Sequence, residues 1–132
     1  MEYIVKGKKI VINSKYFTED EMRCKCCGGL PENGMDQTLV DLLDAIREQV
    51  GKPITLSCAY RCPSHNADVG GVPDSQHVLG CASDLLIPEG YTVETLAEVA
   101  EECNADGVGR YFGDEFVHVD TRSGRIGETF RW

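Results

Sequence analysis

Two histidines and a nearby aspartate are the residues of this 132-residue chain with the clearest capacity for chemistry. His77 ends a long polar loop, and Asp84 follows on a predicted strand. His118 lies on another predicted strand, where alternation places its side chain on the face opposite Val117 and Val119. Two imidazoles and a carboxylate that meet across a sheet, with a fourth position open to water, are typical of a catalytic zinc site.

The elements that must position these residues form a small α+β domain with an antiparallel sheet flanked by helices. Thr18 and Glu21 have the spacing of a capping box, which predicts a short helix from Glu19 to about Cys24. Helical spacing of apolar residues predicts two longer helices, one ending at Gly51 and one capped by Thr92. The predicted strands are residues 54–60, 82–87, 107–111 and 116–121, with one or two more in residues 2–12. The segment 61–76 is a long loop, and loops of that length tend to be functional.

Composition and charge exclude several classes of function. The formal net charge of −9 opposes sequence-independent binding of nucleic acid, which needs clustered Lys and Arg, and adsorption to an anionic membrane. No window approaches the roughly 20 apolar residues of a membrane span. Residues 1–14 lack the apolar core of a signal peptide, so we expect synthesis in the cytoplasm.

The length predicts one domain over residues 1–132, and we expect a monomer.

The seven cysteines cannot all pair within one chain, so a complete disulfide framework is excluded. Cytoplasmic synthesis favours thiols or metal ligation over disulfides. Cys24, Cys26 and Cys27 form a cluster to which Cys62 could add a fourth thiolate, and these four are a candidate second metal site. Because the Cys-x-Cys-Cys cluster differs from a twice-repeated knuckle, the sequence favours reduced thiols over a structural metal here.

The motifs around these residues resemble those of the zinc D-Ala-D-Ala carboxypeptidase and endolysin family. The first motif is Ser75-x-His77-x-x-Gly80-x-Ala82-x-Asp84. The second motif is Glu115-Phe116-Val117-His118-Val119-Asp120. The segment 60–66 resembles the arginine-bearing loop of the family, and residues 17–28 resemble the start of its small single-domain branch. The resemblance covers residues 17–122, after an N-terminal strand segment at 1–16, and it implies the hedgehog and D,D-peptidase type of zinc fold.

The resemblance implies one zinc ion bound by His77, Asp84 and His118. Glu115, three positions before the last histidine, is implied as the general base, because zinc lowers the pKa of its water and a nearby carboxylate takes the proton. Strand alternation favours Asp120 for facing the metal, so Asp120 is the alternative base.

Five further residues are candidates for supporting roles. Arg61 matches the family arginine, which stabilises charge on the scissile carbonyl or contacts a substrate carboxylate. Ser75 is expected to orient a ligand or contact substrate. Tyr111, with Phe112, fits either a wall of the substrate cleft or the core. His65 is expected to brace the loop rather than bind metal.

The function implied by the resemblance is zinc-dependent hydrolysis of peptidoglycan-type peptides, either D-amino-acid-containing stem peptides or cross-links. The enzyme could be a carboxypeptidase or an endopeptidase, acting at the cell wall after release or within a phage particle. The alternative is a non-catalytic module stabilised by zinc, such as a phage structural component that keeps the fold. The acidic residues near His118 favour the enzyme.

Overall fold

The computed structural model describes residues 14–24, 28–30, 35–62, 66, 77, 80–121 and 130–131. Within these residues the complete helices are α1 (Glu19–Met22), α2 (Gln37–Val50) and α3 (Val93–Glu102). Its five strands are β1 (Leu56–Cys58), β2 (Ala82–Leu86), β3 (Gly107–Tyr111), β4 (Phe116–Asp120) and β5 (Phe130–Arg131). The strands predicted in residues 2–12 lie outside the described part of the chain, so they and the division at residue 16 stay predictions.

Local capping residues define where the helices begin and end. The Thr18 and Glu21 capping box is confirmed: the Thr18 hydroxyl accepts from the Glu21 amide at 3.3 Å, and Glu21 accepts from the Thr18 amide at 2.7 Å. The helix that follows is a single turn ending at Met22, shorter than predicted. Gly51 ends α2 with a left-handed φ of 77°, which glycine adopts without steric cost.

The sheet has the order β1-β2-β4-β3-β5. The four strands β1 to β4 pair antiparallel, which confirms the predicted α+β class with a small antiparallel sheet. The fifth strand differs from prediction, since β5 pairs parallel to β3 at the far edge. Strand β1 is also shorter than predicted, and its register on β2 shifts between Leu56 and Cys58, an irregularity that disrupts the ladder locally.

The sheet presents one face to the helices and the other to the candidate site. On the helix side, Leu85, Val117 and Val119 are fully buried in one hydrophobic cluster with the inner residues of α2 and α3. Arg110 projects to the same side, where it forms ion pairs with Glu94 and Glu101 of α3. Alternation therefore turns the intervening residues of β2 and β4 to the opposite face.

Candidate metal centre

Asp84 and His118 occupy paired positions on the central strands β2 and β4. The Oδ1 atom of Asp84 lies 3.1 Å from Nδ1 of His118. The same oxygen lies 3.2 Å from Nε2 of His77, which approaches from the loop before β2. The two imidazole rings meet edge to face, with centroids 5.1 Å apart. The structure thus brings together the three residues whose types and spacing suggested a metal site.

In each imidazole, the nitrogen that does not face Asp84 lies within hydrogen-bond distance of an oxygen acceptor. Nδ1 of His77 lies 2.7 Å from the carbonyl oxygen of Ala59. A carbonyl only accepts, so Nδ1 carries the proton and Nε2 is the atom presented to Asp84. Nε2 of His118 lies 2.8 Å from Oδ2 of Asp120, so Nδ1 is the atom presented to Asp84. These contacts orient both rings towards one carboxylate, as partners of metal-binding histidines typically do.

When no cation is bound, the cluster stabilises the charged carboxylate of Asp84 and raises the pKa of both imidazoles. Burial raises the pKa of Asp84, but hydrogen bonds from His118 and His77 outweigh burial and lower that pKa to about 2. Burial lowers the pKa of His77, but hydrogen bonds to Asp84 and Cys58 outweigh it and raise that pKa to about 9. For His118, burial again lowers the pKa, while hydrogen bonds to Asp120 and Asp84 raise it overall. A divalent cation would displace the protons between the rings and Asp84.

The metal-free protein is expected to lose stability as the pH rises from 6.5 towards 9. Because the pKa of His77 is raised from 6.5 to about 9 on folding, its protonated form contributes stability below pH 6.5 that disappears as the pH passes through 9. Asp84 affects stability at acid pH. Folding lowers its pKa from 3.8 to about 2, so its contribution to stability is present above pH 3.8 and is lost as the pH falls through 2.

Denaturant unfolding of chelator-treated protein across this range measures the effect of His77. His77→Gln is the control and should make the slope between pH 6.5 and 9 smaller, while the raised pKa of His118 leaves part of it. A free energy of unfolding that is constant over that interval in the unsubstituted protein would contradict the protonated His77.

Cys58, at the end of β1, lies beside the cluster. Its Sγ atom is 3.6 Å from Nδ1 of His77. Ligand atoms of Cys58, His77 and Asp84 all lie within 4.8 Å of one another. Sequence reasoning missed this contact because it depends on the register of β1 on β2, which pairs Cys58 with Asp84. The thiol approaches the same ring nitrogen as the Ala59 carbonyl, and its sulfur also lies within 4.8 Å of a carboxylate oxygen of Asp84.

Asp120 is fully buried beneath His118 and is packed against Gly107. The two residues are paired across β3 and β4. A Cβ atom added to Gly107 would stand 2.5 Å from Oδ2 of Asp120, the oxygen that contacts His118. Alternation correctly placed Asp120 on the His118 face, but its carboxylate meets the ring nitrogen that faces away from Asp84.

The Gly107→Ala protein is expected to be less stable than the unsubstituted protein by about 1–3 kcal/mol, the usual cost of overpacking. The added methyl group displaces the buried carboxylate of Asp120 and so disturbs its contact with His118. Denaturant unfolding gives the difference. Gly113→Ala is the matched control, because its added Cβ would have no atom within 4 Å. Equal stability of the Gly107→Ala protein would mean that the Asp120 carboxylate can move freely.

Glu115 lies in the turn between β3 and β4, away from this cluster of contacts. It is exposed and has a left-handed φ of 58°. Among the residues that the structure describes, Glu115 has no hydrogen bond or ion pair. It lines a groove of about 320 Å³ next to the first residues of α3, which Phe112 also lines. Its expected role as the base therefore stays a prediction.

The remaining predicted residues lie around the cluster or outside the described residues. The backbone amide of Arg61 donates to the carbonyl of His77 at 3.3 Å, which ties the arginine-bearing segment to the site. Tyr111 stacks on Phe116 with ring centroids 4.4 Å apart. Phe116 lies two residues before His118 on β4. Phe112 is 62% exposed, so it does not belong to the core. The structure does not describe Ser75, His65, Cys26 or Cys27.

Comparisons with known proteins agree with the resemblance in the motifs. Residues 7–120 match the family described as Peptidase M15. The chain is 33% identical over 98 residues to the peptidoglycan L,D-endopeptidase MepK of Escherichia coli strain K12, covering 69% of this chain and 53% of that protein. The MepK protein of Shigella flexneri matches with the same identity and coverage. The chain spans about half the length of these curated relatives. It belongs to the Peptidase M15 family.

Proposed function

We propose that this chain is a zinc-dependent peptidase that hydrolyses peptidoglycan-type peptides and acts at the cell wall. The observation that carries the proposal is the approach of His77 and His118 to a single oxygen of Asp84. Membership of the M15 family supports the peptidase activity, and the relatives named as peptidoglycan endopeptidases support the substrate class. The zinc fold of D,D-peptidases is part of the same proposal.

The donor set fits zinc. Two imidazole nitrogens and one carboxylate oxygen are ligands that zinc accepts, and three protein ligands leave a position for water or substrate. Neutral rings are required for binding, and each ring here has an acceptor for the proton on its other nitrogen. A zinc ion bound by His77, Asp84 and His118 supplies Lewis acidity and lowers the pKa of water at the site to about 7.

Glu115 is proposed as the general base and Asp120 as the residue that orients His118. Asp120 is fully buried and bound to Nε2 of His118, so its carboxylate is poorly placed to take a proton from a water molecule beside Asp84. Glu115 is exposed on the turn before His118, and its carboxylate has no competing partner among the described residues. It would accept the proton of the attacking water and donate it to the leaving amine.

Three other side chains complete the proposed site. The guanidinium of Arg61 would stabilise negative charge that develops on the scissile carbonyl oxygen, and its segment is already tied to His77. Tyr111, supported by the stacked ring of Phe116, would form an apolar wall for the substrate. Ser75 is proposed to orient a metal ligand or to contact the substrate.

A non-catalytic zinc module is the second candidate, and the position of Glu115 is the observation that favours it. Glu115 lines a groove beside α3 rather than contacting the His77–Asp84–His118 cluster. In a peptidase, Glu115 must reach the substrate when it binds, whereas a structural module needs no such base. The two candidates therefore differ in whether the metal-loaded protein cuts peptides.

Incubation of the zinc-loaded protein with purified peptidoglycan, followed by mass spectrometry of released fragments, tests the proposal. We expect release of peptides by the unsubstituted protein, and the new termini identify a carboxypeptidase or an endopeptidase. Glu115→Gln should keep its metal and lose roughly 10²–10⁴-fold in turnover, the usual contribution of general acid–base catalysis. Intact peptidoglycan after incubation with fully metal-loaded protein would support the non-catalytic module instead.

A further inference from the structure

We propose that the substrate lies along a continuous track, which begins at the His77–Asp84–His118 cluster, crosses a row of apolar side chains and ends in the groove beside α3. The inference rests on the proposed function, because the track extends the same site. Such a track requires a substrate whose peptide chain continues past the bond that is cut. Side chains of the row and the groove would then select that part of the chain.

Leu86, Phe116 and Tyr111 form an apolar row beside the metal-binding cluster, on the same face of the sheet. Phe116 of β4 is paired with Leu86 of β2 on one side and with Tyr111 of β3 on the other. Since side chains alternate along a strand, this row shares its face with the row two residues away, which contains Asp84 and His118. At a rise of about 3.3 Å per residue, the apolar row lies about 7 Å from the cluster.

The groove beside α3 continues the apolar row at the end of the sheet. Three of the residues that line it, Ile87, Phe112 and Glu115, are each the immediate chain neighbour of a residue in the apolar row. The first residues of α3 also line the groove, which has a volume of about 320 Å³. Because Ile87 comes three residues after Asp84, an extended peptide needs about three residues to pass from the cluster into the groove.

The position of Glu115 gives the direction of the peptide along this track. As the proposed base, Glu115 donates a proton to the leaving amine, so that amine faces the end of the sheet where Glu115 lies. Strand β1 runs antiparallel to β2, so the chain after Cys58 leads to the other end of the cluster. There the amide of Arg61 donates to the carbonyl of His77. The substrate residues after the cut bond therefore cross the apolar row, and those before it lie towards Arg61.

The track is apolar, and none of the described residues that line its groove is basic. Leu86 is 40% exposed and Phe112 is 62% exposed, and these are the large apolar side chains that the described part of the chain leaves exposed. The groove is also lined by Ile87, Tyr91 and Val93. Its other acidic residue, Glu94, is paired with Arg110. A terminal carboxylate here would be repelled by Glu115, whereas a continuing, uncharged peptide would cover the exposed apolar side chains. The track therefore fits an endopeptidase.

A nested series of synthetic stem peptides, each one residue longer at its C-terminus than the last, tests the length of the track. Mass spectrometry identifies the bond that is cut in each peptide. We expect kcat/KM to rise by about 10-fold or more once the chain after that bond reaches the groove, as is typical of an added apolar contact in a binding pocket. A kcat/KM that stays constant as the peptide is extended would overturn the track.

Two substitutions locate the effect on the protein. Leu86→Ala should raise KM for every peptide that crosses the apolar row, whereas Phe112→Ala should raise KM only for peptides that reach the groove. In both proteins kcat should change little, because neither side chain contacts the reacting atoms. Glu98→Ala, on the exposed side of α3, is the control and should change neither constant. If Phe112→Ala left KM for the longest peptide unchanged, the groove would not be part of the track.

Equilibrium binding of the same peptides separates failure of the track from failure of the peptidase. If the zinc-loaded protein cuts no peptide, its affinity measured by calorimetry should still increase with peptide length and should fall in the Phe112→Ala protein. Equal cleavage of short and long peptides would leave the peptidase intact and refute the track. An affinity that does not depend on length would refute the track whether or not peptides are cut.

Discussion

The Asp84→Asn protein is expected to keep its fold but to lose metal binding at the His77–Asp84–His118 cluster, together with peptidase activity. Oδ1 of Asp84 is the atom that both imidazoles approach, at 3.2 and 3.1 Å. The amide keeps the volume of the side chain but removes the negative charge that would hold a divalent cation. The loss of metal affinity should therefore exceed the roughly 100-fold that removal of a supporting partner costs.

Chelator competition for zinc and release of peptides from peptidoglycan measure the two losses. Asp41→Asn makes the same chemical change on the exposed side of α2, where Asp41 accepts a hydrogen bond from Gln37. This control should bind zinc and cut peptides like the unsubstituted protein. An Asp84→Asn protein with full zinc affinity at the cluster and full activity would show that the catalytic centre lies elsewhere.

The Asp120→Asn protein is expected to bind zinc at the same cluster about 10- to 100-fold more weakly, as is typical when the partner of a metal-binding histidine is lost. Oδ2 of Asp120 lies 2.8 Å from Nε2 of His118. An amide is neutral and can turn its NH₂ group towards the ring, so the proton is no longer fixed on Nε2. The nitrogen presented to the metal is then less basic and less well oriented.

Comparison with Glu115→Gln distinguishes an orienting residue from a base. Asp120→Asn should lower zinc affinity, whereas Glu115→Gln should leave zinc affinity unchanged and lower kcat. Asp114→Asn, in the same exposed turn as Glu115, is the control and should change neither quantity. If the Asp120→Asn protein bound zinc normally but lost turnover, Asp120 rather than Glu115 would be the base.

The helices were predictable because their signals are local. The capping box of Thr18 and the left-handed stop at Gly51 lie within a few residues of the helix ends they define. The apolar positions of α2 recur at helical spacing, and the structure buries them. Such patterns join residues three or four positions apart, so they can be recognised directly in the sequence.

The sheet was predictable in class but not in detail. Alternation in β4 correctly separated the buried face, with Val117 and Val119, from the face that carries His118. The short parallel strand β5 and the irregular register of β1 were not anticipated. Pairing between strands is a long-range interaction, so one strand by itself does not reveal which neighbour it finds or where the register shifts.

The sequence by itself determined the family of the chain, through the motifs that contain His77, Asp84 and His118. It also determined the α+β class, because hydrophobic periodicity is encoded locally. Only the tertiary structure decided that Asp120 is buried behind His118, that Cys58 lies beside His77, and that Cys62 reaches Cys24. Each of these contacts depends on strand register and loop path, which are set by packing between residues distant in the chain.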